Sequence, residues 1–136
     1  MSVIVGLTVS TLAFAATTPK DEFFWLSQIN KASLVLNSQE GLLKPDVSKK
    51  IAAGIQHVIN AGDKEGGARP SRVIKYEPLL IKAAGMDATM LHVGRSSQDM
   101  HATYYSAIMR DNVLRLSSQL STTMELLNKL AKANED

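Results

Sequence analysis

The chain has 136 residues, of which 45% are hydrophobic and 21% charged, with a formal net charge of +2. This length and composition are typical of one modest globular domain and argue against a disordered protein. Because the net charge is small and the Lys and Arg residues are scattered rather than clustered, a nucleic-acid partner is not expected. The lack of cysteine excludes disulfides and thiolate metal sites.

The first sixteen residues, MSVIVGLTVSTLAFAA, contain no charged side chain. They end in Ala13-Phe14-Ala15, a small-large-small pattern typical of a secretory cleavage site, and the run is too short for a membrane span. We therefore expect residues 1–16 to be a signal peptide of a periplasmic or secreted protein, with no membrane partner. Because no Lys or Arg precedes the apolar run, a buried first element of a cytoplasmic protein stays the alternative.

Two helices are predicted next. The first lies in DEFFWLSQINKASLVL, where Asp21 and Glu22 meet the positive end of the helix dipole, and Gly41 interrupts the pattern after it. The second begins at Pro45, a residue favoured at the first helical position, and stops at Gly62. The expected apolar stripes are Phe24, Trp25, Ile29, Ala32 and Val35 or Leu36 in the first helix, and Val47, Ile51, Ile55, Val58 and Ile59 in the second.

Residues 61–71, AGDKEGGARPS, carry three Gly and one Pro and predict a surface loop, the best break in the chain. A third helical segment follows and ends at Gly85. Pro78 lies inside it, so that the segment either kinks or begins there. Its stripe is expected to be Val73, Ile74, Leu80, Ile81 and Ala84.

From Gln98 to about Asn134 no Gly or Pro interrupts a helical pattern. Such a helix would be on the order of 50 Å long, whereas a domain of this size has a radius of gyration of roughly 14 Å. Much of its stripe therefore needs partner helices, and we expect the chain to be a piece of a longer protein. The predicted fold is all-α, with a helical domain over 20–95 and the start of a long bundle helix over 96–136. The stripe consists of Met109, Val113, Leu116, Leu120, Met124, Leu127 and Leu130 or Ala131.

The stretch LHVGRSSQDMHAT precedes this helix and has two interpretations. In the first, Ser96 and Asp99 form a capping box, a local device that opens many helices without binding anything. In the second, the same turn also holds an anion, because a helix start exposes unpaired amides and a partial positive charge. Gly94 would allow a ligand close to the backbone, and the donors would be Arg95, Ser96, Ser97 and Gln98.

The stretch, followed by YYSAIMRDNVLRL, resembles the first signature region of the argininosuccinate lyase branch of the aspartase, fumarase and adenylosuccinate lyase superfamily. That branch has His-Thr-Gly-Arg-Ser-Arg-Asn-Asp, which matches His92, Gly94, Arg95, Ser96 and Asp99. Ser97 and Gln98 differ, and the SSQD string is similar to Thr-Ser-Gln-Asp in the adenylosuccinate lyase and carboxymuconate cycloisomerase branches. The resemblance extends from about Glu22 to the end, because it includes the segments INKASLVLNSQEGLL and YEPLLIKAAG. In the second segment, Glu77 and Leu80 match the family's Ile-Glu-x-x-Leu pattern.

The resemblance implies a lyase that removes a proton beside a carboxylate, expels an amine or hydroxyl group from the neighbouring carbon and releases fumarate. Arg95, Ser96, Ser97 and Gln98 would bind a dicarboxylate or amino-acid substrate, with Arg95 either on the substrate or paired with Asp99. His92, Gly94 and Asp99 would support the turn. It also implies a homotetramer built through the long helix, and a general base and second histidine outside this chain, which alone would be inactive.

Departures from the family pattern bear on specificity. Ser97 and Gln98 replace an Arg and an Asn whose contacts an argininosuccinate lyase is expected to use, so the amine that leaves need not be arginine. Ser33 stands where relatives often have His. The rival hypothesis is a non-catalytic helical module that self-associates through the long stripe and uses GRSSQD only as a cap.

The remaining histidines and methionines are interpreted structurally. His57 is expected to be a surface or partly buried residue, His101 an exposed helical one, and His92 to hydrogen-bond substrate or backbone. No two of them have the spacing of a helical metal site, so neither a metal nor a cofactor is expected. Phe24 and Trp25 are predicted core anchors, and the residues predicted to fill core gaps are Met86, Met90, Met100, Met109 and Met124.

Overall fold

A computed structural model describes residues 20–135, and the predicted signal peptide lies outside them. The all-α prediction is confirmed, since this part of the chain forms helices and no strand. Within it, no helix combines the length and apolar character needed to cross a membrane. The elements are α1 (Glu22–Gln39), α2 (Pro45–Gly62), α3 (Val73–Ala84), a 3₁₀ helix (Met86–His92) and α4 (Ser97–Ala133).

Helix α1 buries a different face from the one predicted. It begins at Asp21, whose carboxylate accepts a hydrogen bond from the Phe24 amide at 2.9 Å. Val35 and Leu36 of the predicted stripe are more than half exposed, and Phe24 and Trp25 are only half-buried. The prediction failed because polar side chains on the buried face find hydrogen-bond partners and so need no exposure. The buried residues are Phe23, Leu26, Ser27, Asn30, Leu34 and Asn37.

Helix α2 matches its prediction. It starts with Pro45 and buries Ile51, Ile55 and Val58 against the other helices. Gly54 permits close contact with α3, because a Cβ at this position would lie 2.5 Å from the Ala84 Cβ. Any side chain here would push the two helices apart.

The predicted loop before α3 is more firmly held than its composition indicates. The Arg69 guanidinium donates two hydrogen bonds of 2.7 Å to the Asp21 carboxylate, and it also pairs with Asp63. The same guanidinium lies over the Phe23 ring, 4.6 Å from its centroid. Arg69 therefore joins the loop to the first turn of α1.

Helix α3 runs through Pro78 rather than beginning there. Its buried face contains Tyr76 in place of the predicted Ile74, which is 76% exposed. Gly85 ends the helix with a φ of +80°, and a 3₁₀ helix that the sequence analysis did not predict leads to α4.

Helix α4 has 37 residues and is about 55 Å long at 1.5 Å per residue. Met100 and Tyr104 are buried against the preceding helices, and Ile108 packs at the edge of the core. Beyond Asp111 every described residue of the helix is exposed. Of the five methionines predicted to fill the core, only Met100 does so, because the others lie at helix edges or on this exposed part.

Candidate functional site

The first turn of α4 is closed by a complete capping box, which confirms the predicted cap; both interpretations of GRSSQD contain this cap. The Asp99 amide donates to Ser96 Oγ at 3.2 Å, and the Asp99 carboxylate accepts from the Ser96 amide at 2.7 Å and from its hydroxyl at 2.9 Å. These hydrogen bonds, the backbone one first, lower the pKa of Asp99 and keep it ionised. The Ser96 hydroxyl therefore both accepts and donates within the cap.

The cap leaves a defined set of donors at the surface. The amides of Arg95, Ser96, Asp99 and Met100 all have partners within the turn or the 3₁₀ helix. Among residues 20–135, the amides of Ser97 and Gln98 have none, as expected for the first positions of a helix. Both side chains are exposed, so two amides, one hydroxyl and one carboxamide are accessible at the positive end of the helix dipole.

The backbone on the N-terminal side of this turn is also open. Gly94 has a φ of +74°, a conformation that glycine adopts without strain. In the described structure, a Cβ built on Gly94 meets no atom within 4 Å. An approaching ligand would find space here, as the anion interpretation requires.

The Arg95 side chain points to α1 and not to Asp99. Its Nη2 donates to Asn30 Oδ1 at 2.6 Å, and its Nη1 donates to the Ser33 hydroxyl and, at 3.4 Å, to the Ile29 carbonyl. Burial lowers the Arg95 pKa to about 10, and the Glu77 carboxylate opposes this effect. Because this pKa still lies above neutral pH, the guanidinium stays charged there. Arg95 directly precedes the capping residue Ser96, and its side chain thus ties the start of α4 to the middle of α1.

His92 has a partner that neither sequence-based alternative anticipated. Its Nε2 lies 3.3 Å from Glu77 Oε1, and both side chains are partly buried. Desolvation and the nearby Arg95 charge lower the His92 pKa, and Glu77 opposes them. A cavity of about 10 Å³ adjoins this pair and is lined in part by Asn30 and Tyr76. It has room for about one water molecule, so a dicarboxylate must bind outside it.

The other histidines lie away from this turn or face inward. His57 is exposed on α2, as predicted. The prediction that His101 is exposed was wrong: it is partly buried because its ring packs edge-on against Tyr104, with 5.4 Å between centroids. Within residues 20–135, no group of three or more His, Asp or Glu side chains is placed to hold a metal ion.

Asn30 was not predicted to belong to this region, and Ser33 was singled out only as a departure from the family pattern. The sequence does contain a pattern that indicates this face, because the polar residues Ser27, Asn30 and Asn37 recur at helical spacing on the side of α1 that is buried. Ser27 Oγ lies 3.0 Å from the Tyr76 hydroxyl, and Asn37 Nδ2 donates to the Met90 carbonyl at 3.1 Å. The buried face of α1 is therefore a row of hydrogen-bonding positions between apolar ones.

The all-α fold is the one that the resemblance stated from the sequence implies. Comparison with known proteins finds a distant relative. The chain is 29% identical over 111 residues to the argininosuccinate lyase of Methanocaldococcus jannaschii, an alignment that includes 77% of this chain and 22% of that enzyme. The resemblance stated from the sequence is confirmed as a distant relationship.

The chain spans about a fifth of the length of this relative. No protein-family model matches the chain, and no solved structure matches it. The substrate-binding roles of Arg95, Ser96, Ser97 and Gln98 remain predictions.

Proposed function

We propose that the chain is the part of an argininosuccinate lyase-like enzyme that holds a substrate carboxylate at the first turn of α4. The observation that carries this proposal is the pair of unpartnered amides at Ser97 and Gln98, exposed beside their own donor side chains at a helix start. The distant relationship to an argininosuccinate lyase supports the choice of ligand.

The proposed reaction is an elimination that breaks a carbon–nitrogen bond. A base takes the proton from the carbon beside a carboxylate, the electron pair forms the double bond of fumarate, and the amine leaves with the electrons of the broken bond. Negative charge builds on the carboxylate before the amine departs. Donors fixed around that carboxylate bind the intermediate more tightly than the substrate, which lowers the barrier.

The other catalytic groups in this proposal belong to the complete protein. The general base and the second histidine are assigned to segments beyond this chain. We therefore expect residues 1–136 alone to release no fumarate, and an absorbance assay on the isolated chain tests this. Turnover by the isolated chain would contradict the assignment.

We also propose that the complete protein is a homotetramer joined through α4. The support is the exposed apolar surface of α4 beyond Asp111, which the rest of residues 20–135 does not cover. A contiguous apolar stripe of this length is typical of a helix packed against other helices. The exposed apolar residues are Val113, Leu114, Leu116, Leu120, Met124, Leu126, Leu127 and Leu130.

The direct test is a calorimetric titration of the complete protein with succinate, a substrate-like dicarboxylate that cannot react. Ser97→Ala removes a hydroxyl donor from the turn without touching the cap, and we expect it to weaken succinate binding by about tenfold, the effect of a lost hydrogen bond to a charged group. Ser117→Ala removes an exposed hydroxyl from the same helix and is the matched control. Equal affinity for all three proteins would contradict the binding role.

The rival function is a self-associating helical module without a ligand. The complete capping box favours it, because the cap alone accounts for Ser96 and Asp99. This alternative expects assembly through α4, as the lyase proposal does, but no succinate binding by the complete protein, so the titration separates the two functions.

A further inference from the structure

Asn30 is an almost fully buried polar residue in the middle of α1, with a side chain that is not needed to form the helix. It is 3% exposed, and its Oδ1 accepts the 2.6 Å hydrogen bond from Arg95 Nη2. A charged donor bound to a buried carbonyl oxygen forms a stronger hydrogen bond than two neutral groups do. Leaving the guanidinium without this acceptor would be costly, since part of its hydration has already been lost.

The position of Arg95 in the chain makes this contact important for the anion-binding turn. Arg95 directly precedes Ser96, the residue that caps α4, and its guanidinium contacts two successive turns of α1 through Ile29, Asn30 and Ser33. The first apolar contact of α4 with the core is made by Met100, more than one helical turn further along. Between the 3₁₀ helix and Met100, Arg95 is the side chain that attaches the turn to α1.

We infer that Asn30 is a positioning residue, which acts through Arg95 to hold residues 96–98 in place for carboxylate binding. This inference rests on the proposed function. The guanidinium already donates to α1, so its role is to fix the turn while the ligand is bound by the amides and side chains of Ser97 and Gln98. Donors must be fixed before the ligand arrives, because a turn that orders only on binding loses affinity.

The chain offers variants that separate positioning from simple stability. Asn30→Leu removes the acceptor while keeping similar bulk. Asn30→Asp is the conservative variant, because it restores an oxygen at the same place beside Arg95. Asn37→Leu is the matched control, since Asn37 is also a buried asparagine of α1, 8% exposed, but holds the Met90 carbonyl rather than Arg95.

The first measurement is succinate affinity of the complete protein, taken together with the thermal midpoint. We expect Asn30→Leu to weaken binding by roughly tenfold, as loss of preorganisation does, and Asn30→Asp to recover most of the affinity. Asn37→Leu should lower the thermal midpoint to a similar extent while leaving succinate affinity within about twofold, because Arg95 keeps its partners. Wild-type affinity in Asn30→Leu, or an equal loss in Asn37→Leu, would overturn the inference.

The second measurement needs no ligand and keeps the inference separate from the proposed function. Amide hydrogen exchange at Asp99 and Met100, both hydrogen-bonded to Ser96, reports how firmly the turn is held. We expect faster exchange at these amides in Asn30→Leu and not in Asn37→Leu. If the unsubstituted protein binds no succinate, the proposed function fails, and unchanged exchange in Asn30→Leu would separately show that Asn30 does not position the turn.

Discussion

The two parts of α4 differ in what surrounds them, although one uninterrupted helix contains both. Over residues 96–111 the helix is capped, tied to α1 through Arg95 and packed through Met100 and Tyr104, and Asp111 pairs with Lys20 at 3.3 Å. Over residues 112–133 each side chain is exposed. An apolar stripe indicates that a helix packs against something, but it does not tell whether the partner is the same domain or another chain or segment.

The anchored part is also the part that carries the proposed site. Its donors are presented by a turn whose position is fixed by buried contacts. The hydrogen bonds of the exposed part within residues 20–135 all stay inside the helix itself, for example from the Thr122 hydroxyl to the Ser118 carbonyl. Substitutions in the two parts should therefore affect different properties, and the following experiments test that separation in order of expected effect.

The largest effect is expected from Tyr104→Ala. Tyr104 is 1% exposed and its hydroxyl donates to the Ser71 carbonyl at 3.0 Å, so truncation leaves a cavity and an unpaired carbonyl. Removing a buried aromatic side chain costs about 3–5 kcal/mol of unfolding free energy. Urea unfolding measures this, with Tyr105→Ala, at a 59% exposed neighbour, as the control. Similar losses for both variants would mean that the anchored part is not anchored by Tyr104.

A change in the exposed part should act on assembly and not on folding. Leu120→Asp places a charge in the exposed stripe, where Leu120 is 59% exposed. We expect the complete protein to dissociate into smaller species, because an unpaired charge in an apolar interface costs several kcal/mol. Sedimentation measures the mass, and Ser118→Asp, at an exposed position on the side of the helix away from Leu120, is the control. An unchanged mass in Leu120→Asp would remove this segment from the interface.

The cap itself should contribute a smaller amount. Ser96→Ala deletes the hydroxyl that accepts from the Asp99 amide and should cost about 1 kcal/mol of unfolding free energy. Ser97→Ala, one residue later and outside the cap, should cost less than about 0.5 kcal/mol, as surface substitutions usually do. Chemical denaturation of both variants gives the comparison, and a reversed order would contradict the capping geometry.

The smallest effect is the pH dependence of Asp99. Its pKa is lowered from 3.8 by hydrogen bonds from Ser96, so its contribution to stability is present above the unfolded-state pKa and is lost as the pH falls through the folded-state pKa. Asp99→Asn removes this titration and keeps an acceptor oxygen. The stability difference between the two proteins should therefore shrink in acid. A difference that stays constant from neutral pH to pH 3, measured by unfolding curves, would mean that ionised Asp99 adds nothing to the cap.

Local patterns in the sequence were sufficient for much of the fold and for part of the site. The stripe of α2 was predicted because its apolar residues are the buried ones, and the cap was predicted because Ser96 and Asp99 interact three positions apart. The contact between Arg95 and Asn30 joins residues 65 positions apart, so no local spacing reveals it. The face of α1 was misassigned because buried polar groups with partners look exposed on a hydrophobicity scale.

The contacts by which Arg69 holds the loop before α3 to the start of α1 have a consequence for proteolysis. An exposed loop rich in glycine is ordinarily a preferred site of proteolytic cleavage, which requires the backbone to open locally. Here the guanidinium fastens the loop to Asp21 and Phe23, so that cleavage first requires detachment from the start of α1. The loop should therefore resist limited trypsin digestion for longer than its composition suggests.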